Sequence, residues 1–528
     1  MKAILTFSFI FLAVAAWSQP THRVYFTDKG ANTQLLNTPR VFLSEKSIQR
    51  RLCQNIPLSL SDVPVYQPYV TALSQTGLQV EGRSKWLNYA LVQGEVFPEK
   101  IIQLPFVKKV EKVRPHRLHL AGGKAALTNF DYGLAFDQIN MLKGEKLHEA
   151  GFTGRGMTIG VLDAGFQGVD TIPFFDSLRL QNRLLGTYNF VRNTDSVFRT
   201  GGGHGTAVLS TMAALDPAVF VGTAPHASYW LLTSEDVRSE TPAEMDNWVI
   251  AAEFADSVGV DVINTSLGYS IFDDSTDNFT YSNMDGNTTV VTRAADQAAQ
   301  KGILVVASAG NEGSSTWKFI TAPADGDSVL TVGAVDRNGQ AVSFSSFGPS
   351  FDGRVKPDVA ALGLSAVVSG RDGSLASSSG TSFSSPIVAG LAACLWQVFP
   401  NANNMDIRNS IQAAGHLYPG SDNQLGYGIP NFYDAQRGLG TAENAVLLSQ
   451  LKIFPNPVKQ YLHLALPANE ENPAHLEVQV LSAAGQVLRD YGTMPAEELI
   501  RLPFDLPKGA YLVKVRVGEQ EWVEKIVK

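Results

Sequence analysis

The chain has 528 residues and a mass of 57.0 kDa, with 44% apolar and 17% charged residues, an ordinary globular composition long enough for about two to four domains. Its 42 Lys and Arg against 50 Asp and Glu leave a net charge of −8, which excludes a dedicated nucleic-acid binder built on a basic stripe. Two cysteines, Cys53 and Cys394, exclude a disulfide framework and any CxxC zinc or redox site.

In chain order, Met1-Lys2 precedes a mostly apolar run, Ala3 to Ala16, with small residues at Ala16 and Ser18. That pattern predicts an export signal over 1–18, cleaved after Ser18. No later segment offers the roughly 18 uninterrupted apolar residues of a membrane span. Residues 19–120 alternate apolar and polar around helical stretches near 44–52 and 66–76, a small α+β module. A loose stretch, 114–128, follows as a linker.

Residues 130–440 interleave β-branched strands (Met157 to Leu162, Val260 to Asn264, Ile303 to Ser308, Val329 to Val335) with helices. Thr241-Pro-Ala-Glu244 reads as a capping box with proline at the first helical position, opening a helix through about Ala255. The run Thr289 to Lys301 ends at Gly302, a C-terminal cap. Strand–helix–strand repetition predicts an α/β domain with a parallel sheet covered on both faces. Residues 452–528 return to alternation and turn signals, as in Phe454-Pro-Asn-Pro457, and predict a small all-β sandwich.

Three short motifs in the middle block carry chemistry. Gly160-Val-Leu-Asp163-Ala-Gly165 puts a carboxylate at the carboxyl end of a buried strand, where open parallel sheets place their sites. Alone it also fits a turn cap. Gly201-Gly-Gly-His204-Gly-Thr206 starts a helix with an imidazole among glycines; a flexible turn fits as well, and the absence of Lys-Ser/Thr excludes a Walker loop. Ser379-Gly-Thr-Ser382 opens an apolar helix whose free N–H groups favour negative charge, or is simply a helix cap. Together they are far more specific. A hydroxyl needs a base to take its proton, and that imidazole needs a carboxylate to orient it. Asn311, in Ala307-Ser-Ala-Gly-Asn311, adds an amide able to donate to an oxyanion beside the backbone N–H of Ser382.

With Val161-Leu-Asp163, His204-Gly-Thr, Asn264-Thr-Ser-Leu-Gly268, Ala309-Gly-Asn311, Ser343-Phe-Ser-Ser-Phe-Gly-Pro349, Lys356-Pro-Asp358 and Gly380-Thr-Ser382 in this order, the middle block resembles the subtilisin-like serine proteases, the subtilase family. The resemblance implies a serine endopeptidase acting on extended polypeptides through an acyl-enzyme. Asp163 would orient the ring, His204 act as base and then acid, Ser382 as nucleophile and Asn311 as oxyanion donor. Ser266, Leu267 and Gly268 would pair with substrate backbone and wall the primary specificity pocket. No cofactor is required for such catalysis. By size and position residues 19–120 resemble the family's inhibitory propeptides, which makes the chain a self-processing zymogen cut within 114–128. The last block resembles the C-terminal sorting domain of type IX secretion substrates, through Ile453-Phe-Pro-Asn-Pro457, Leu506-Pro-Lys-Gly509-Ala-Tyr-Leu-Val and Lys525-Ile-Val-Lys528. It implies outer-membrane secretion machinery as a partner and a secreted or cell-surface protein.

Two departures stand out. Between Gly268 and Thr288 lies a long insertion with Asp273, Asp274, Asp277 and Asp285. It is open to three readings: a solvated acidic loop, a calcium site without EF-hand spacing, or a surface favouring basic peptides. The stretch Leu215 to Gly222 lacks the Asn-rich calcium loop of familiar members, so a structural calcium has no clear motif. Two other readings of the chain are a catalytically silent surface-binding protein on the same scaffold and an esterase. The four chemical residues count against the first. The absence of a Gly-x-Ser-x-Gly elbow around Ser382 counts against the second.

Overall fold

The computed structural model describes residues 21–94, 98–113, 132–199, 201–440, 451–465, 475–482, 485–495, 499–517 and 520–528. The expected export signal, 1–18, and the expected cleavage stretch, 114–128, lie outside the described residues.

The N-terminal module is a four-stranded antiparallel sheet, order β2-β3-β1-β4, formed by β1 (Thr21–Phe26), β2 (Gln79–Ser84), β3 (Tyr89–Gln93) and β4 (Val107–Val113). Two helices accompany it, α1 (Glu45–Cys53) and α2 (Gln67–Gln75), within a residue of the expected stretches. Ser44 starts α1 by accepting the Ser47 N–H at 3.2 Å, a side-chain cap. Val24, Phe26, Val70, Leu73, Ala90 and Val92 form the module's own small core.

The central domain is built on a seven-stranded parallel sheet. Its strands are β5 (Thr158–Asp163), β6 (Leu184–Asn189), β7 (Ser228–Thr233), β8 (Val262–Thr265), β9 (Leu304–Ser308), β10 (Leu330–Val335) and β11 (Val359–Leu362), in the order β11-β10-β9-β8-β5-β7-β6. Strands buried on both faces read as continuous apolar runs, because alternate side chains serve opposite cores. Ile159, Val161, Val262, Leu304 and Val306 point into one core with α3 (His204–Ala213) and α6 (Thr381–Val398). Leu162, Ile263, Val305 and Ala307 point into the other with α4 (Pro242–Val258) and α5 (Val290–Gln300). Glu244 accepts the Thr241 N–H at 3.0 Å at the start of α4, and Gly302 follows α5 with φ +85°, where a side chain would be strained. α6 is the one described helix apolar and long enough to cross a membrane, and it is almost wholly buried in the domain core.

The C-terminal block is all antiparallel. One sheet joins Lys452–Phe454, Tyr461–Ala465 and Leu499–Pro503; the other joins Val487–Pro495, His475–Ser482, Ala510–Val517 and Gln520–Val527. Leu462, Leu464 and Leu502 of the first share one core with Val478, Val480, Val513 and Val515 of the second, the alternation of a sandwich.

Candidate active site

Asp163 is the last residue of β5, and His204 the first of α3; both lie where the parallel strands end. Gly205 lets the two elements close up, since a Cβ there would stand 3.0 Å from that of Asp163 and 2.6 Å from the Gly165 carbonyl. The result is a hydrogen bond from His204 Nδ1–H to Asp163 Oδ1 at 2.7 Å, with Asp163 fully buried. The same carboxylate oxygen accepts the Ala164 N–H at 2.7 Å. Donation from Nδ1 leaves Nε2 as the ring's basic atom. Burial opposes a charge on His204, yet the Asp163 carboxylate outweighs it and holds the ring's pKa above its ordinary 6.5.

Ser382 is the second residue of α6, next to Phe383, whose ring lies 6.1 Å from that of His204. Its hydroxyl donates to the Ser266 carbonyl at 3.4 Å. Four residues on, Pro386 has no N–H to bond the Ser382 carbonyl. That carbonyl accepts instead from the Ser266 hydroxyl at 2.8 Å, so the proline inside the helix ties the segment after β8 to the residue at its start. Asn264 reinforces the tie: its Oδ1 accepts from Ser385 Oγ at 2.9 Å, while its Nδ2 donates to Ser266 Oγ at 3.2 Å.

Asn311 stands three residues past β9. Its Oδ1 accepts from the Thr381 N–H at 2.9 Å and from the Thr381 hydroxyl at 3.0 Å. With the carbonyl engaged, the amide NH2 is the free end. A Cβ at Gly380 would sit 3.5 Å from Asn311 Nδ2 and 3.7 Å from the Ser382 nitrogen, in contact with both. Leu267 is half-buried and Gly268 exposed, on the extended segment that runs from Ser266 to the Tyr269–Ala322 bridge. All seven residues singled out from sequence therefore meet at one end of the sheet.

Sequence reasoning missed a second group of acids beside them. One carboxylate oxygen each of Glu235, Glu240 and Glu244 lies within 4.8 Å of the others. Tyr269 donates its hydroxyl to Glu235. Burial, then mutual repulsion, pushes Glu240 up to about 8 and Glu244 up to about 10; burial and the nearby Asp163 push Glu235 up to about 7. All three shifts run in one direction, toward the protonated acid. The loop carboxylates are used otherwise. Asp273 accepts the Glu240 N–H, Asp274 the Thr276 N–H and hydroxyl, and Asp285 the N–H groups of Asn287 and Thr288. The Asp274 and Asp285 bonds cap their own turns, whereas the Asp273 bond ties the loop to the segment before α4; the loop carboxylates do not form a cation cage among the described residues. Cys394 is buried and its thiol pushed up strongly by burial; Cys53 is exposed.

Three spans of the chain match known families. Residues 154–428 match the subtilase family, peptidase S8; residues 21–126 match the peptidase S8 propeptide domain of Bacteroidota; residues 452–528 match a secretion system C-terminal sorting domain. Subtilisin NAT of Bacillus subtilis subsp. natto is 31% identical over 363 residues, covering 68% of this chain and 83% of that protein. Subtilisin DY of Bacillus licheniformis is 33% identical over 277 residues, 52% and 89% of the two chains. Alkaline elastase YaB of Bacillus sp. (strain YaB) is 31% identical over 301 residues, 57% and 69%. The sorting domain marks the protein for export across the outer membrane, to the cell surface or the medium. With a propeptide domain in front and this sheet-end site within its matched span, the chain belongs to the subtilase family and is a serine-type endopeptidase.

Proposed function

We propose that the protein is a secreted, self-processing peptidase in which Ser382 is the nucleophile. The Ser382 hydroxyl turns from Ser266 to Nε2 of His204, gives up its proton there, and attacks the scissile carbonyl. The carbonyl π bond opens and its oxygen becomes an anion between Asn311 Nδ2 and the Ser382 N–H. Collapse expels the amine, which takes the proton from His204 and leaves an acyl-enzyme; water, deprotonated by the same ring, then releases the acid. Asp163 holds the ring and supports its positive charge. Ser266, Leu267 and Gly268 receive the substrate backbone as an added strand. Every group in the sequence comes from the chain, with no cofactor in the chemistry.

The single observation that carries this reading is the 2.7 Å Asp163–His204 bond beside the start of the Ser382 helix. We divide the chain into a signal at 1–18, an inhibitory propeptide at 19–120, the peptidase at 130–440 and the sorting sandwich at 452–528. The propeptide stays on the enzyme after the cut and blocks it, and the sorting domain is removed on export. The test is intact mass and N-terminal sequencing of the chain without its export signal, beside Ser382→Ala. Loss of the first hundred or so residues in wild type alone is the expected result. Both chains remaining whole counts against self-processing, and the same cut in both shows an outside protease.

A further inference from the structure

Glu235 stands two residues past β7 and Tyr269 four past β8, and the strand order β8-β5-β7 puts the end of β5 between them. Both side chains are buried, and the Tyr269 hydroxyl donates to Glu235. The bond therefore spans the end of β5, whose last residue is Asp163. Backbone contacts fix each foot of the span. Asp163 pairs with Thr233 in register, and its carbonyl accepts the Ser234 N–H at 3.1 Å. Tyr269 exchanges two backbone bonds with Ala322, at 2.8 and 3.1 Å. Ser266, Leu267 and Gly268 come directly before Tyr269, so its ring anchors the end of that extended segment.

A buried tyrosine needs an acceptor for its hydroxyl, and a neutral amide would serve; an acid is more than the bond requires. Its charge reaches the triad. The groups facing Glu235 are Asp163 on β5, His204 on α3, Ser234 beside it, Tyr269, Glu240 and, on α4, Glu244, with Asp273 beyond Glu240. A charge on Glu235 adds to that of Asp163 in raising the His204 pKa against burial, and a charged ring favours an ionised Glu235 in return. Burial, opposed by the Tyr269 bond, and then Asp163 push Glu235 up to about 7. It therefore ionises near neutral pH, where the ring must lose its own proton to act as a base.

We propose that Glu235 is a positioning residue for the reaction, bracing the substrate-binding segment through Tyr269 and supporting the positive charge on His204 across the end of β5. The inference rests on the peptidase reading above. The test uses the autoprocessed enzyme with Glu235→Gln and with Tyr269→Phe. Each preparation is first titrated with a fluorophosphonate, which labels the active serine, and kcat and KM for one extended peptide are then followed from about pH 5 to about pH 9. Glu235→Gln keeps an acceptor for the Tyr269 hydroxyl but removes the charge. Its limb of kcat/KM is expected to move to lower pH by about half a pH unit or more. Tyr269→Phe keeps the ring but removes the bond. Its KM on the plateau is expected to rise about threefold or more, the loss of one modest hydrogen bond. A Glu235→Gln limb that coincides with wild type overturns the proposal, as does a Tyr269→Phe KM within about twofold of wild type. Either variant decides alone where the other does not label. If wild type itself fails to label, the peptidase reading has failed and this one with it.

Discussion

The contact between the N-terminal module and α4 gives the sharpest quantitative expectation. Glu253 of α4 accepts three donors from the turn between β2 and β3: Ser84 Oγ–H at 2.5 Å and the Trp86 N–H at 2.9 Å on Oε1, and the Lys85 N–H at 2.6 Å on Oε2. Glu253→Gln keeps shape and volume but replaces one oxygen by an NH2. The oxygen can still serve Ser84 and Trp86, while the new donor faces the Lys85 N–H. One hydrogen bond to a charged group is lost, worth about 1.5–3 kcal/mol, or about tenfold to 150-fold in dissociation constant. Glu45→Gln is the control, an exposed change within the module at a surface pair with Arg40, where the expected effect is small. The assay is a dilution series of the processed protein, following the concentration at which peptidase activity appears as the cut module dissociates. That midpoint should rise by the stated factor for Glu253→Gln alone. A midpoint within twofold of wild type would refute the reasoning, since the bond from the Lys85 N–H would then contribute nothing to the contact.

Five further expectations concern the site and the scaffold. Asn311→Ala should lower kcat by about 10²–10³-fold with little change in KM, a magnitude measured on the family's prototype; an unchanged kcat removes Asn311 from the oxyanion site. Gly380→Ala puts a methyl group between Asn311 Nδ2 and the Ser382 N–H, and should cost a comparable factor in kcat while the fold, read by circular dichroism, stays intact. Because the base must be neutral and Asp163 holds the His204 pKa above 6.5, kcat/KM should rise with pH along a limb centred above that value. Asp163→Asn should move the limb down and lower kcat about 10⁴-fold, as for the same change in an unrelated serine protease. Asp358 is buried on Lys356 and Arg408, each at 2.8 Å, so Asp358→Ala strands two cations and should cost about 3–5 kcal/mol of stability, read as a lowered unfolding temperature.

Much of this was legible in the sequence, for identifiable reasons. β5, β8, β9 and β10 announce themselves as β-branched runs because burial on both faces demands them, and their observed ends differ from expectation by at most two residues. The edge strand β6, Leu-Leu-Gly-Thr-Tyr-Asn, does not, since its side chains are only partly buried and no continuous apolar run is required. The candidate site residues were picked out because each stands at or near a strand end or helix start beside a short, fixed motif. Glu235, Glu240 and Glu244 were not. They come from a loop and the first turn of α4, and nothing in their spacing shows that Tyr269 and Asp163 will be their neighbours.

The acids of α4 bring the fold and the latency into one argument. Asp246, Glu253 and Asp256 are spaced by seven and three residues, which puts them on one side of a helix. As a sequence pattern that side reads as solvated. In the structure it is buried under the module: Arg23 bonds Asp246 at 2.6 and 2.7 Å, and Arg50, Arg51 and Lys85 surround Asp256. Arg50 also donates to the Val260 and Lys301 carbonyls, at 2.6 and 3.0 Å, just past the carboxyl ends of α4 and α5, where a cation meets the negative ends of both helices. Burial opposes the charge on Asp256, but Lys85 and the two arginines prevail and hold its carboxyl far below the usual range. Its contribution to the contact is therefore complete above about pH 4 and lost only as pH falls toward that depressed value. Glu253 has the opposite sign. Burial raises its pKa despite Lys85, so its share of the binding weakens only as pH rises through the raised value. Neither group loosens the module on mild acidification, and ion pairs this buried are little screened by salt. The dilution midpoint should accordingly not rise between pH 7 and pH 5, nor by more than about twofold between 0.1 and 0.5 M salt. A steep release at pH 5 would mean that another group governs the contact and that the Asp256 cluster is incidental to it. Without such a release, latency ends when the module is destroyed, not when the medium turns acid.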